Sequence, residues 1–380
     1  MADTIEYYLT NTYAGGQQMK NTIRYIVLCK GIPLKLWTYE NYSNYYPVSH
    51  YRNVSLDALL CLLYQDVISL YDIYYSDFYA QKNPYKNSAD MNFTFDYRFI
   101  TNHFTNNNGW KLNYLVSRLD GDSYTDIANM IDRSLSSDKS GYGYWVFDAD
   151  TCHNEVVTRA VNNENLTSTA LNNLKSKSFN TNPATHDPDC NFITNNPNGN
   201  VMGYTSCGRH SYLGLACGVF DPNYMACLTF NYANGAVFNT FESYNGSSMK
   251  QIYREEDFGL ISDFIKMGGT GGLAHTWEPT RFAVALNDNF FNLYAMGYGL
   301  VDAAYQSIPH LAWQNVVIGD PLTTIAWGKQ TLQDSVVFEG TNLITGELNI
   351  AGNAAIINNG AALRFKHNGF ITGEGYLIAQ

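Results

Sequence analysis

Charge is scarce in this sequence. Asp, Glu, Lys and Arg make up 15% of its 380 residues, against about a quarter in an ordinary soluble protein. The 23 basic residues are outnumbered by 34 acidic ones, for a net charge of −11. With no basic stripe interleaved with aromatics, this excludes a nucleic-acid groove, because phosphate contacts draw on clustered Lys and Arg. No apolar run reaches the roughly eighteen residues of a membrane helix. The opening MADTIEYYLT lacks the basic and apolar segments of a secretory signal, so the chain reads as intracellular or as a processed or truncated piece. Also missing are GxSxG, a dinucleotide fingerprint, a phosphate loop with its lysine, and any CxxC pair. Neither a cofactor nor a metal is expected.

What is abundant is apolar and aromatic. Hydrophobic residues reach 45%, aromatics 15%, and there are 30 tyrosines. A chain of this size can build one large core with smaller elements attached, since single cores stop growing near about 300 residues. Tyr and Asn take over much of the polar surface, a composition that suits an extracellular or cell-surface protein. Cys29 and Cys61 lie in apolar runs and read as buried thiols. Cys152, Cys190, Cys207, Cys217 and Cys227 fall in turn-rich sequence, where disulfides would form under oxidising conditions. The last three lack the paired ligands of a zinc site.

Apolar runs alternate between strand and helix patterns. IRYIVLCKGIPLKL reads as a buried strand, and SLDALLCLLYQDVISLY as a helix opening at Ser55. LNYLVSRLDG is a second strand. SYTDIANMIDRSLSS is an amphipathic helix with Ile127, Met130, Ile131 and Leu135 on one side. YGYWVFDAD is a third strand and VTRAVNNENLTSTALNNLKSK a helix. MGYTS, AVFNTF, FGLISDFIKMG, GLAHTW, FNLYAMGYGLVDAAYQS and NVVIGDPL follow in the same alternation. This order predicts an α/β core, residues 1–330, with a mostly parallel sheet and helices on both faces, caspase-like or flavodoxin-like in three layers. Residues 71–109 and 180–200 read as long loops. From 331 to 380, short apolar pieces separated by Gly and Asn predict a small all-β module, a solenoid or sandwich.

Ligands of parallel sheets bind beyond the carboxyl ends of strands, and polar residues gather there. Asp120, Asp148, Asp150, Glu242, Glu278 and Asp320 each follow an apolar run. The bland reading is a loop cap. Asp120 and Asp148 end successive predicted strands and could act as paired carboxylates. Gly268, Gly269, Gly271 and Gly272 around Thr270 suit tight helix-to-strand packing better than an anion nest. For catalysis the best pair is His210, after one strand, and Ser243, after the next. Glu242, Glu278 or Asp148 would orient the imidazole, and Cys207 and Cys227 are rival nucleophiles. His275 and His310 flank these loops and read as supporting residues.

Taken in order, YIVLCKGIPL, SLDALLCLLY, LVSRLDG, YWVFDAD, MGYTSCG, FESYNG, GGTGGLAHTWEP and AWQNVVIGDPL resemble a family of bacterial proteins, often exported and followed by β-rich or sorting modules. The resemblance spans about residues 20–325. It implies an extracellular or surface location but no activity. The layout is also distantly similar to the caspase-like peptidases related to gingipain, in which a histidine and a cysteine follow adjacent strands. His210 matches that histidine, whereas the later turn presents Ser243. The resemblance further implies an opening strand and helix that have no counterpart before Ile5, which reads as a truncated chain, an alternative start or a strand supplied by another subunit to an uncovered sheet edge. Two functions are therefore expected. The favoured one is a non-catalytic surface or assembly protein that self-associates through this edge and the β-rich tail. The alternative is a hydrolase acting on peptide or glycan.

Overall fold

In this computed structural model the described residues are 2–35, 54–64, 83, 85, 112–140, 143–148, 200–206, 230–240, 244–246, 249, 261–277, 279, 283–311, 313–327 and 330–380. A helix, Ala2–Asn11, leads into a small antiparallel hairpin of β1 (Tyr13–Ala14) and β2 (Gln17–Gln18). The main sheet has seven strands: β3 (Tyr25–Cys29), β4 (Leu115–Leu119), β5 (Tyr144–Asp148), β6 (Asn200–Ser206), β7 (Asn231–Phe238), β8 (Gly271–His275) and β9 (Asn315–Ile318). Their order across the sheet is β3-β4-β9-β8-β7-β6-β5.

Every neighbouring pair is parallel except β8 and β9. A block of four strands, β5 to β8, therefore runs one way and β3, β4 and β9 run the other. One apolar cluster covers each face. On one side Leu56 and Leu60 of the Leu56–Leu60 helix join Phe290, Phe291 and Tyr294 of the Asn287–Ala295 helix and Leu300 and Ala304 of Leu300–Ser307. On the other, Ile127 and Met130 of Tyr124–Leu135 meet Ile261, Phe264 and Ile265 of Ile261–Lys266. The expected three-layer α/β core is present.

Local chemistry accounts for the boundaries. Ser55 caps its helix by accepting the Ala58 N–H. Ser123 and Asp126 form a reciprocal capping box at the start of Tyr124–Leu135. The glycine cluster belongs to packing, as expected. A Cβ on Gly272 would lie 2.1 Å from the Phe238 carbonyl, and one on Gly269 would collide with the Phe264 ring. Thr270 is buried, its hydroxyl accepting the Gly235 N–H.

Several expectations need correction. The opening apolar strand is not covered on both sides: β3 is an edge strand, so Val27 and Cys29 are exposed, while Cys61 is the buried thiol. Leu135 ends its helix 78% exposed, and Ser134 is buried in its place. The helix from Ser55 stops at Leu60. The pattern FNLYAMGYGLVDAAYQS makes two helices rather than one. Its break falls at Gly297, which has φ +87° and is pressed against Ala326 and Thr345, so no side chain fits. Most of the loop at 180–200, the helix expected at 157–177, Cys152, Cys190, Cys207, Cys217 and Cys227 lie outside the described residues, as does most of 71–109.

The β-rich region is a parallel solenoid. β10 (Gln330–Leu332), β12 (Thr341–Ile350) and β14 (Ala362–Gly373) form one sheet; β11 (Val336–Phe338), β13 (Ala355–Asn358) and β15 (Tyr376–Ala379) form the other. Phe338, Ile344, Leu348, Ile350 and Ile356 fill the space between them. Gly340 and Gly360, both left-handed, turn the same corner in successive coils. The first coil abuts the core, where Leu343 N–H donates to the Lys139 carbonyl and Trp327 packs on Phe338.

Candidate active site at the carboxyl rim of β5 to β8

The four strands of the parallel block end within a few residues of one another, β7 stopping two residues short of β6 and three short of β8. Asp148 pairs with Ser206, Tyr204 with Phe238, and Phe238 with Gly272. Asn239 N–H donates to the Tyr204 carbonyl and extends the ladder past β7. β9 enters this rim from the opposite direction, with Asn315 paired to His275.

Asparagines hold the rim in place. Asn239 Nδ2 donates to the Ala285 carbonyl (3.2 Å) and to Asn287 Oδ1 (2.6 Å). Asn315 Nδ2 donates to the Ala283 carbonyl (3.1 Å). These bonds strap the segment ahead of the Asn287–Ala295 helix across the strand ends. Asn239 Oδ1, Asn315 Oδ1 and Thr205 Oγ1 are buried acceptors with no hydrogen-bond partner, a concentration of unmet polar capacity that is unusual in a folded interior.

The turn after β7 is also fixed. Tyr244 sits at φ +59°, its N–H donating to the Trp277 carbonyl and its ring 4.7 Å from that of Trp277. Lys35 Nζ stands 4.3 Å from the Trp277 ring. Asn245 is buried and reaches Thr240 and His275.

The sequence candidates fall into two groups. Asp148 is the last residue of β5; His210 follows β6 by four residues, Ser243 comes three after Thr240 at the β7 exit, and Glu278 comes three after His275. They are thus attached to four consecutive parallel strands. The side chain of Asp148, and residues Asp150, His210, Glu242, Ser243 and Glu278, lie outside the described residues. The second group leaves the rim. Asp320 follows Ile318, which pairs with Gly272 at the amino end of β8, and its carboxylate caps a turn by accepting the Leu322 N–H. Tyr204 is core, stacked on Phe238.

Asp120 and Asp148 cannot form a carboxylate pair. Their strands stand five steps apart in the sheet, roughly 24 Å at the usual strand spacing, and they point opposite ways. His275 is buried within β8 and His310 beyond the Leu300–Ser307 helix. Among the described residues no cluster of three His, Cys, Asp or Glu could hold a metal ion.

Sequence reasoning missed the buried polar groups behind β4. Arg118 is fully buried, its Nε 2.8 and 2.9 Å from the two oxygens of Asp57. Its Nη groups donate to the carbonyls of Ile32 and Pro33. Burial pushes the Asp57 carboxyl up to about 6 against the attraction of Arg118. Asp302, accepting from Tyr25 (2.6 Å) and Tyr85 (2.9 Å), is likewise raised by burial to about 6. An arginine inside the apolar run LVSRL was the available signal.

No protein-family model and no curated protein matches the chain. Two solved structures are similar in shape. "Complex of Porphyromonas gingivalis RgpB pro- and mature domains" aligns at 12% identity over 89% of this chain and 74% of that one, with a TM-score of 0.45. "Crystal structure of the Arg specific cysteine proteinase gingipain R (RGPB)" aligns at 12% identity over 89% and 72%, with a TM-score of 0.46. At that level the similarity concerns the course of the backbone; the rim described above stands on its own geometry.

Proposed function

We propose that this chain is a peptidase-like hydrolase acting outside the cell, with Ser243 as nucleophile and His210 as its general base. One observation supports the reading: β6 and β7 are adjacent and parallel, with Tyr204 paired to Phe238 near their carboxyl ends, so the strands that precede the two residues lead out at one rim. In this scheme Ser243 Oγ attacks the peptide carbonyl, its proton passes to His210, and the imidazolium returns it to the leaving amine. Asp148 on β5 or Glu278 after β8 orients the ring. A fluorophosphonate probe and a mixed fluorogenic peptide library test this. Folded wild type should label at Ser243 and cleave peptides, and Ser243→Ala and His210→Ala should lose both. A folded wild type that neither labels nor cleaves refutes it; cleavage of glycans alone would move the substrate class.

A second reading, self-assembly without catalysis, has its own observation. Every residue of β15 is exposed, and Phe365, Phe370, Tyr376, Leu377 and Ile378 present apolar surface beside the open edges of β14 and β15. Such an edge is a template for pairing. Sedimentation of the full chain and of a form lacking 331–380 decides it: an oligomer that dissociates on deletion supports the reading, and a monomer in both cases removes it. Among the described residues no helix is long and apolar enough to cross a membrane.

A further inference from the structure

We infer that Lys139 is a pH-sensitive latch between the α/β core and the β-solenoid, because its ammonium sits at their junction without a counter-ion. The half-buried Nζ donates to Ser137 Oγ at 2.7 Å and to the Thr324 carbonyl, and it stands 5.6 Å from the centre of the Trp327 ring. The Lys139 carbonyl accepts the Leu343 N–H at 2.8 Å. Trp327 is tied into the first coil: its N–H donates to the Leu343 carbonyl, its own carbonyl accepts the Thr345 N–H, and its Nε1 donates to Asn342 Oδ1. One residue therefore holds together the end of the Tyr124–Leu135 helix, the segment leaving the core and the first coil.

Among the described residues no carboxylate forms an ion pair with this ammonium. Asp138, next to it in the chain, accepts the Ser140 N–H, and Glu339 of the solenoid accepts from Asn359 Nδ2. The residue beside Leu343 on the next coil is Arg364, another cation. β7 contributes the neutral Asn234, whose carbonyl accepts the Asp138 N–H. Taking a charge out of water without a partner disfavours the charged form. Burial accordingly lowers the Lys139 amine from its ordinary 10.5 to about 8, against a smaller pull upward from Asp138. When the junction opens to water, the amine regains its ordinary affinity for the proton. The closed junction thus binds the proton less tightly than the open one, and raising the pH through about 8 favours closure. The neutral amine keeps its hydrogen-bond donors, so closure loses no bond.

Hydrogen exchange on the full-length chain reads the latch directly, since the Leu343 amide is bonded across the junction. Corrected for the intrinsic pH dependence of exchange, its protection should rise about tenfold from pH 7 to pH 9. The strand amides of β8 and β9, inside the core, should not rise with it. Lys139→Met removes the charge and leaves Ser137 Oγ donating to the Thr324 carbonyl, so its Leu343 protection should be the same at both pH values. Lys139→Arg stays charged at both and should be flat as well; it decides the matter if the Met variant does not fold. A wild type that is flat between pH 7 and pH 9, a rise that survives in either variant, or a rise shared equally by β8 and β9 overturns the latch.

Discussion

Replacing Arg118 by Met should destabilise the protein in a way that depends on pH. The guanidinium is fully buried, and its nearest carboxylate besides Asp57 is Asp120, 3.8 Å away. Met fills much of the same space but leaves the Asp57 carboxylate without its cation and the carbonyls of Ile32 and Pro33 without their donors. Unpartnered, Asp57 must fold protonated. At pH 7, neutralising a group whose ordinary value is 3.8 costs about 4 kcal/mol at 1.36 kcal/mol per unit. The wild type already bears about 3 kcal/mol of that, because Asp57 titrates at about 6. The carboxyl therefore adds only about 1.4 kcal/mol, and the two carbonyls add about 1–3 kcal/mol each. The expected loss is about 3–7 kcal/mol at pH 7, a large part of a typical stability of about 5–15 kcal/mol.

At pH 5 Asp57 is protonated in both folded proteins and its share of the difference vanishes, so the loss should shrink by about 1.4 kcal/mol. Urea unfolding followed by tryptophan fluorescence at the two pH values measures this. A loss that is equal at both, or larger at pH 5, refutes the reasoning. Adding Asp57→Asn should recover about 4 kcal/mol at pH 7, because the amide needs no proton.

Asp302 titrates at about 6 in the fold against 3.8 ordinarily. The folded state thus binds the proton more tightly, and wild-type stability should fall as pH rises from about 4 to about 6; Asp302→Asn should flatten that slope in denaturation curves. Gly272→Ala places a methyl 2.1 Å from the Phe238 carbonyl and should cost about 3 kcal/mol or more by forcing β7 and β8 apart. Gly352→Ala, whose Cβ would sit 3.5 Å from Glu374, should change the melting temperature little. Ser243→Ala should abolish labelling by a serine-directed probe while leaving the melting temperature within a few degrees.

The alternation of strand and helix patterns was enough to place β3, β4, β5, β6, β7, β8 and β9, because each apolar run is long enough to be buried and ends in a turn residue or charge. The Ser55 and Ser123 caps were legible for the same local reason. Strand order was not. Asp120 and Asp148 end consecutive predicted strands, yet β4 and β5 stand far apart because three later strands and β9 were laid between them. Equally hidden was the reversed sense of β9, which carries Asp320 away from the rim. The pairing of Arg118 was hidden as well, because its partner, Asp57, lies in a different element.

By itself the sequence determined which segments become strands or helices and which of their residues bury, since periodicity, caps and glycine positions act over a few residues. It also determined that the tail would be β-rich, through recurring Gly corners. Only the tertiary structure decided which strand ends share a rim, because sheet order and direction depend on contacts among distant segments whose energies no local pattern records. That decision separates Asp148, His210, Ser243 and Glu278, attached to one parallel block, from Asp120 and Asp320 beyond it.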